Sequence, residues 1–444
     1  MDRNRRIAVV GSGISGAITA WLMRDTAAVS LFEADARFGG HTHTVSIEDE
    51  SGPVEVDTGF MVFNRPNYPL LSALFDHLNI ATYPTDMSFS ASFDGGRMEY
   101  AGSDLNTLFG QRRNLFRPHF WGLLGSILWF NQAARRAVQN PPPVSETLDE
   151  FLDREGLGGG FRERYLYPMA AAIWSCPRGQ IGRFPALTFL RFFANHGLIN
   201  LSDRPQWHTV EGGSSSYMRR LIGDLGQRAR KSAAVRGVRR LAGQVELRLD
   251  NDRVERFDDV VLACHSDQAL ALLSDPSPSE RALLAAIPYQ ANRVILHRDH
   301  RLMPRERRVW SSWNYLSDLR QDAGRGVSVT YWMNSLQRLN THNDYFVSLN
   351  PLREPAPDQT VSEFEYHHPV FSLQALQAQR QLRRIQGRDG TWFAGAWTGY
   401  GFHEDGMRSG VEVAQALGAT VPWAAQIAAS RDLALVPQAV GEAA

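Results

Sequence analysis

The chain has 444 residues, 43% of them hydrophobic, with 47 basic and 47 acidic side chains and a formal net charge of zero. That length supports two or three domains with a substantial core, and the balanced charge gives no nucleic-acid footprint. Two cysteines, Cys176 and Cys264, support neither a disulfide framework nor a cysteine-based metal site, and no metal is expected.

The first readable element is an apolar strand, Ile7–Val10, followed by Gly11-Ser12-Gly13-Ile14-Ser15-Gly16 and an apolar helix from Ile14 to Met23. A second strand, Val29–Phe32, ends on Glu33. This is the dinucleotide-binding βαβ pattern: Gly11 for the tight turn, Gly13 for backbone approach to a pyrophosphate, Gly16 for close packing of helix on strand. The helix N-terminus at Ile14 and Ser15 would hold the pyrophosphate, and Glu33 would accept the ribose hydroxyls. Next comes Ala34-Asp35-Ala36-Arg37-Phe38-Gly39-Gly40-His41-Thr42, which taken alone could be a simple Gly-Gly turn. Later in the chain, Val235–Leu241 alternates, Val245–Leu249 pairs plausibly with Arg253–Phe257 around Asn251-Asp252, and Val260–Cys264 reads as a buried parallel strand. Strand-like runs Arg293–His297, Val327–Met333 and Tyr345–Leu349 follow.

Residues 37–40 resemble the arginine-x-glycine-glycine segment of the amine oxidase and phytoene desaturase flavoprotein superfamily. Residues 211–225 are similar to its second Gly-Gly segment opening a helix, and residues 392–410 to its C-terminal flavin segment. The resemblance implies an α/β fold: a Rossmann-type FAD-binding domain interleaved with a substrate domain of antiparallel sheet plus helices, amine-oxidase-like. Segments 1–75, 205–288 and 385–444 would bind FAD; 76–204, helical and rich in aromatics, and 289–384 would enclose substrate. FAD contacts are implied for Gly11, Gly13, Ile14, Ser15, Gly16, Glu33 and Ala34, and for Arg37, Gly39, Gly40, His41 and Thr42. Further contacts are implied for Asp57, Thr58 and Gly59, for Val235 at the adenine, and for Gly395, Ala396, Asp405, Gly406 and Met407. The absence of cysteine from the last segment implies non-covalent binding.

The chain departs from the amine oxidases at informative places. Its only lysine is Lys231, just before the adenine-side strand. The superfamily's flavin-side lysine and its bound water are therefore not available. Ala396 stands where an acid is usual, and Asp405 aligns with a usual glycine. Val56–Asn64, Phe184–Phe193 and Gly401–Gly406 resemble a bacterial group of FAD-dependent oxidoreductases associated with cyclopropane-fatty-acyl synthase-like methyltransferases. That resemblance implies oxidation or desaturation of an apolar, fatty-acyl substrate by hydride transfer to flavin, with dioxygen or another carrier as acceptor. An amine oxidase is the alternative within the enzyme class. A non-catalytic flavoprotein partner of a lipid-modifying methyltransferase is the alternative outside it.

For catalysis the expected cluster is Trp397, Tyr400, His403 and Glu404. His403 has a suitable range for a base, with Glu404 orienting it or replacing it; equally, both residues could bond the ribityl chain or cap a helix through Arg408. His41 and His43 would contact cofactor or backbone, Asp57 would order a strand turn, Arg65 could reach a substrate anion, and His367-His368 would be structural. Residues 115–130, flanked by Arg112, Arg113, Arg117, Arg135 and Arg136, fit either a membrane-interface helix or a core helix. No run of about 18 apolar residues could span a bilayer, and a first strand beginning by residue 7 leaves no room for a signal peptide. A cytoplasmic protein is expected, with peripheral contact at the inner face of the membrane left open.

Overall fold

The computed structural model describes residues 4–200, 204–250, 252–318, 328–370 and 372–424. Outside them lie Asn251 of the expected turn, Val327 of an expected strand and residues 425–444 of the expected 385–444 segment.

A parallel sheet carries the strands Ala229–Arg230, Ala28–Phe32, Arg6–Val10, Asp259–Leu262 and Thr391–Phe393, in that spatial order. Its central strands are apolar apart from Arg6, Ser30 and Asp259 because both faces are covered. Ile7 and Val9 pack toward the helix Ile14–Met23, all ten of whose residues are buried. Ala8 and Val10 pack toward an antiparallel sheet of Val235–Leu241, Gln244–Leu249 and Val254–Phe257. The expected hairpin forms with Val245 opposite Phe257, and Asp252 takes a left-handed φ of 57° in its turn.

The last long helix, His403–Ala416, lies against Ile14–Met23. Two glycines one turn apart permit the approach. A Cβ on Gly410 would stand 2.4 Å from the Ser15 carbonyl oxygen, and one on Gly406 2.8 Å from Ile14 Cγ2. Thr19 Oγ1 then shares its hydroxyl between the Ser15 carbonyl of its own helix, at 2.7 Å, and the Gly410 carbonyl across the gap, at 3.1 Å.

A second sheet has seven strands, in the order Thr360–Pro369, Tyr289–His297, Phe346–Leu349, Ser328–Trp332, Trp313–Ser317, Phe89–Phe93 and Met98–Ala101. Two of these come from the stretch expected to be helical. They form a hairpin around Asp94-Gly95-Gly96, all three at positive φ, and Phe89–Phe93 joins Trp313–Ser317 in parallel. The sheet is therefore mixed rather than purely antiparallel. Helices Pro118–Gln139, Leu148–Arg154, Tyr167–Trp174 and Ala186–Asn195 share one core with it, including Phe120, Phe130, Phe189 and Phe193. Among the described residues no helix is long and apolar enough to cross a membrane.

Candidate functional site

The site begins where the first strand ends. Gly11 turns at φ 101°, a left-handed value, and a Cβ there would lie 2.6 Å from the Ala263 carbonyl oxygen. A Cβ on Gly16 would come within 1.9 Å of the Gly11 carbonyl oxygen, whereas one on Gly13 would meet nothing within 4 Å. Gly13 is thus the open edge of the turn. Glu33 is set by the turn itself: Ser12 donates its N–H (2.9 Å) and hydroxyl (2.5 Å) to one carboxylate oxygen, and Asp35 N–H donates to the other at 2.9 Å. Gly39 N–H donates to Ser12 Oγ at 3.1 Å, and a Cβ on Gly40 would be 3.2 Å from Gly13 Cα. The two glycine segments are therefore layered. Arg37 accompanies them with a buried Nη1 that has no partner. Val235 is buried beside them, while Ala34 is exposed.

A second wall is built around Asp57, which is fully buried. Its carboxylate accepts from Thr44 Oγ1 (2.6 Å), Ser214 N–H (2.9 Å) and Oγ (2.8 Å), and Gln337 Nε2 (3.1 Å). Burial pushes its pKa up to about 6 against the pull of those donors. Asp57 thereby ties the hairpin Thr44–Asp57 to the Gly212-Gly213 segment, as expected of a residue ordering this turn. Thr58 Oγ1 and His43 Nδ1 both bond the Tyr366 hydroxyl at 2.7 Å. A Cβ on Gly59 would be 2.1 Å from the His41 carbonyl oxygen. His41 is held neutral by burial and by nearby His368 and His265, and its Nε2 has no partner.

The C-terminal segment completes the arrangement. His403 lies flat on Phe60, and its Nε2 bonds the Tyr217 hydroxyl, which also bonds Thr42 Oγ1 at 2.8 Å. Burial depresses the His403 pKa to about 3, so the imidazole is neutral at ordinary pH. Asp405 accepts from the N–H groups of Tyr400 and Phe402 (3.0 Å each) and pairs with Arg408 at 2.8 Å. Tyr400 and Phe402 pack on Phe192, with centroids 5.8 and 5.2 Å away. At the start of this helix the N–H groups of Asp405 and Gly406 both reach the Phe402 carbonyl, at 3.0 and 3.1 Å.

Several expected roles come out differently. Glu404 is buried, and its two oxygens accept from Leu70 N–H (2.9 Å) and Leu71 N–H (3.1 Å). It caps the helix Pro69–Leu78 instead of standing free as a base. Trp397 is 2% exposed, with its indole N–H on the Cys264 carbonyl at 3.0 Å, so it supports the loop from beneath. The Asp405 side chain serves its own loop and Arg408. Arg65 is engaged by Asp76 through both guanidinium nitrogens, at 3.0 and 3.1 Å. His368 bonds Asn292 and His367 bonds Glu365, at 3.1 and 3.0 Å, both structural as expected. Phe60, Tyr217, Gln337 and Tyr366 were not singled out from sequence. Phe60 and Tyr217 sit inside the segments 56–64 and 211–225, so an apolar or phenolic side chain within a cofactor segment was the usable signal.

A dinucleotide turn, an acid at the end of the second strand, a second glycine segment and a returning C-terminal helix define a flavoprotein of the Rossmann type. A family described as flavin containing amine oxidoreductase matches residues 14–418, and the chain belongs to it. No curated protein sequence matches. Among solved structures, a CLA-producing fatty acid isomerase from P. acnes superposes with a TM-score of 0.68 at 14% identity, covering 94% of this chain and 100% of its own. Cyclohexylamine oxidase from Brevibacterium oxydans gives 0.66 at 16%, covering 93% and 98%. A putrescine oxidase bound to putrescine gives 0.64 at 15%, covering 94% and 99%. The chain is an FAD-dependent oxidoreductase. The orphaned, buried Arg37 Nη1 and the open edge at Gly13 are each features that an anionic pyrophosphate would fit.

Proposed function

We propose that this enzyme oxidises or desaturates an apolar, fatty-acyl chain. The observation that carries this reading is the ring cluster around His403: Phe60 stacked on the imidazole, Phe192 against Tyr400 and Phe402, and the carboxylates of Glu404 and Asp405 committed to backbone N–H groups and Arg408. An alkylammonium would find no free carboxylate among these residues, whereas a methylene chain meets rings. The only lysine, Lys231, follows Arg230, whose carbonyl accepts Glu33 N–H at 2.8 Å. It sits at the adenosine end.

FAD, when bound, supplies a two-electron acceptor for hydride. Gly13, Arg37, Gly39 and Gly40 would hold its pyrophosphate and Glu33 its ribose. His403, neutral and bonded to Tyr217 and through it to Thr42, is placed to take up or relay a substrate proton. Tyr217 is fully buried, which pushes its pKa upward and keeps the phenol protonated. The acyl-chain reading draws support from a fatty acid isomerase on the same fold and from the sequence resemblance to the methyltransferase-associated group. That group also makes a lipid-modifying methyltransferase the partner class to test.

Anaerobic mixing of the holoenzyme with phospholipids of defined acyl chains, and separately with alkyl and aryl amines, tests the proposal. Flavin bleaching by a lipid that emerges two hydrogens lighter supports it. Bleaching by amines alone restores the amine oxidase reading. Photoreducible flavin that no lipid or amine bleaches favours a non-catalytic partner.

A further inference from the structure

The helix Pro118–Gln139 has two apolar faces rather than one. Phe120, Leu123, Phe130 and Ala134 point into the core. Trp121, Leu128 and Trp129, seven and eight residues apart and so on one side of a helix, are 51, 54 and 43% exposed. Two neighbouring turns extend this outer face, with Phe116 at 86% and Leu105 at 75% exposure. The indole N–H groups are satisfied within the chain, Trp121 on the Leu115 carbonyl (2.9 Å) and Trp129 on the Glu155 carbonyl (3.0 Å), and the Arg136 guanidinium lies over the Trp129 ring at 5.0 Å.

Arginines edge the patch at its N-terminal end. Arg112 and Arg113 are exposed and Arg117 is half-buried; among the described residues their guanidinium groups bond carbonyl and amide oxygens and form no ion pair. The acids nearby are committed: Asp104 caps the short helix Leu105–Leu108 by accepting Thr107 N–H at 2.8 Å, and Glu155 pairs with Arg136 at 3.2 Å. An exposed apolar face with an unpaired cationic rim matches an anionic bilayer surface, where rings enter the headgroup boundary and guanidinium groups meet phosphate. A second copy of the same cationic face offers no such complement.

We propose that this face docks the enzyme on anionic lipid membranes, lying on the surface without crossing it. The inference rests on the acyl-chain reading for its purpose, though its test needs no turnover. Oxidised holoenzyme is floated with vesicles of phosphatidylglycerol and phosphatidylcholine in equal parts, and with vesicles of phosphatidylcholine alone. Binding is expected to the mixed vesicles and to fall with added salt. L105S/F116S should weaken it roughly tenfold or more through lost apolar burial, and R112Q/R113Q by a similar factor through lost phosphate attraction. Both pairs should keep full FAD content and an unchanged melting temperature.

Equal binding to neutral vesicles, no binding at all, or binding that neither double variant weakens overturns the proposal. Self-association abolished by L105S/F116S without lipid binding overturns it in favour of a second copy. Vesicle binding without bleaching by any lipid removes only the acyl-chain reading; bleaching by soluble acyl lipids without vesicle binding removes only the docking face.

Discussion

The imidazole of His403 lies on the ring of Phe60, with centroids 3.9 Å apart and planes 11° from parallel. This stack fixes the ring, and burial holds it neutral with a pKa near 3. If the imidazole serves as base, replacing His403 by Ala should slow flavin reduction per bound FAD by about 10²-fold, the low end for a positioned base, because a pKa near 3 makes it a weak one. Because protonation of His403 is depressed so far, the wild-type rate should show no acid limb from this group between about pH 5 and 8. FAD occupancy and single-turnover reduction measured on the same preparation decide it. Lost flavin with normal reduction in the remaining holoenzyme would assign His403 to cofactor binding alone.

Glu404 makes the opposite prediction, one of stability. Burial raises its pKa from the usual 4.5 to about 8 against the two N–H bonds and Arg408. Between those values the folded chain keeps a proton that the unfolded chain has released. Its contribution is therefore full below about pH 4.5 and lost as pH rises through about 8. Glu404→Gln should cost about 1–3 kcal/mol by mismatching the N–H groups of Leu70 and Leu71, and should flatten the fall in melting temperature between about pH 4.5 and 8. An unchanged slope would place the titrating group elsewhere.

The contrast between these neighbours shows what a sequence can carry. The glycine turn, Glu33 and the order of the cofactor segments were legible because local spacing dictates them. The role of Glu404 was not, since its partners Leu70 and Leu71 lie 334 and 333 residues away. Trp397 misled for the same reason: its indole partner is the carbonyl of Cys264, 133 residues back. The strands Phe89–Phe93 and Met98–Ala101 were readable in principle, because Asp94-Gly95-Gly96 is a hairpin signal between alternating residues. Aromatic content drew attention away from them. The helix Pro118–Gln139 packs Phe120, Leu123 and Phe130 into the core, as its core-helix reading expected, while leaving Trp121, Leu128 and Trp129 exposed.

Glu33 is expected to control flavin retention. Its carboxylate braces the Ser12 turn and is the group proposed to hold the ribose. Glu33→Ala should weaken FAD by roughly tenfold or more, in keeping with about 1.5–3 kcal/mol for a bond to a charged group. Acid precipitation of wild type should release FAD into the supernatant, as non-covalent binding requires. Colour retained in the pellet, or full occupancy of the variant at low added FAD, would contradict these assignments.

Helix contact at the glycines gives a graded test. In Gly410→Ala the new methyl faces the Ser15 carbonyl oxygen at 2.4 Å, a backbone atom that cannot swing aside. In Gly406→Ala it faces Ile14 Cγ2 at 2.8 Å, a longer approach and to a side-chain atom rather than to backbone. Overpacking costs about 1–3 kcal/mol, so Gly410→Ala should melt lower than Gly406→Ala. Equal melting temperatures would mean that the two helices separate freely at both points.

Simple primary amines should leave the flavin oxidised. Lys231 stands on the Glu33 side of the parallel sheet, between Arg230 and Ser232, whose backbone groups bond Glu33 and Asp35. A lysine-held water beside the flavin ring therefore cannot form from this chain. The carboxylates nearest His403 are likewise committed, Glu404 to Leu70 and Leu71 and Asp405 to Arg408 and its own loop. An ammonium group would have to shed its hydration without a counter-charge, an expense of several kcal/mol in a buried site. Anaerobic mixing with alkyl, aryl and polyamines should leave absorbance unchanged over the time in which a lipid substrate bleaches it. Rapid bleaching by any of these amines would overturn the acyl-chain reading and return the enzyme to amine chemistry.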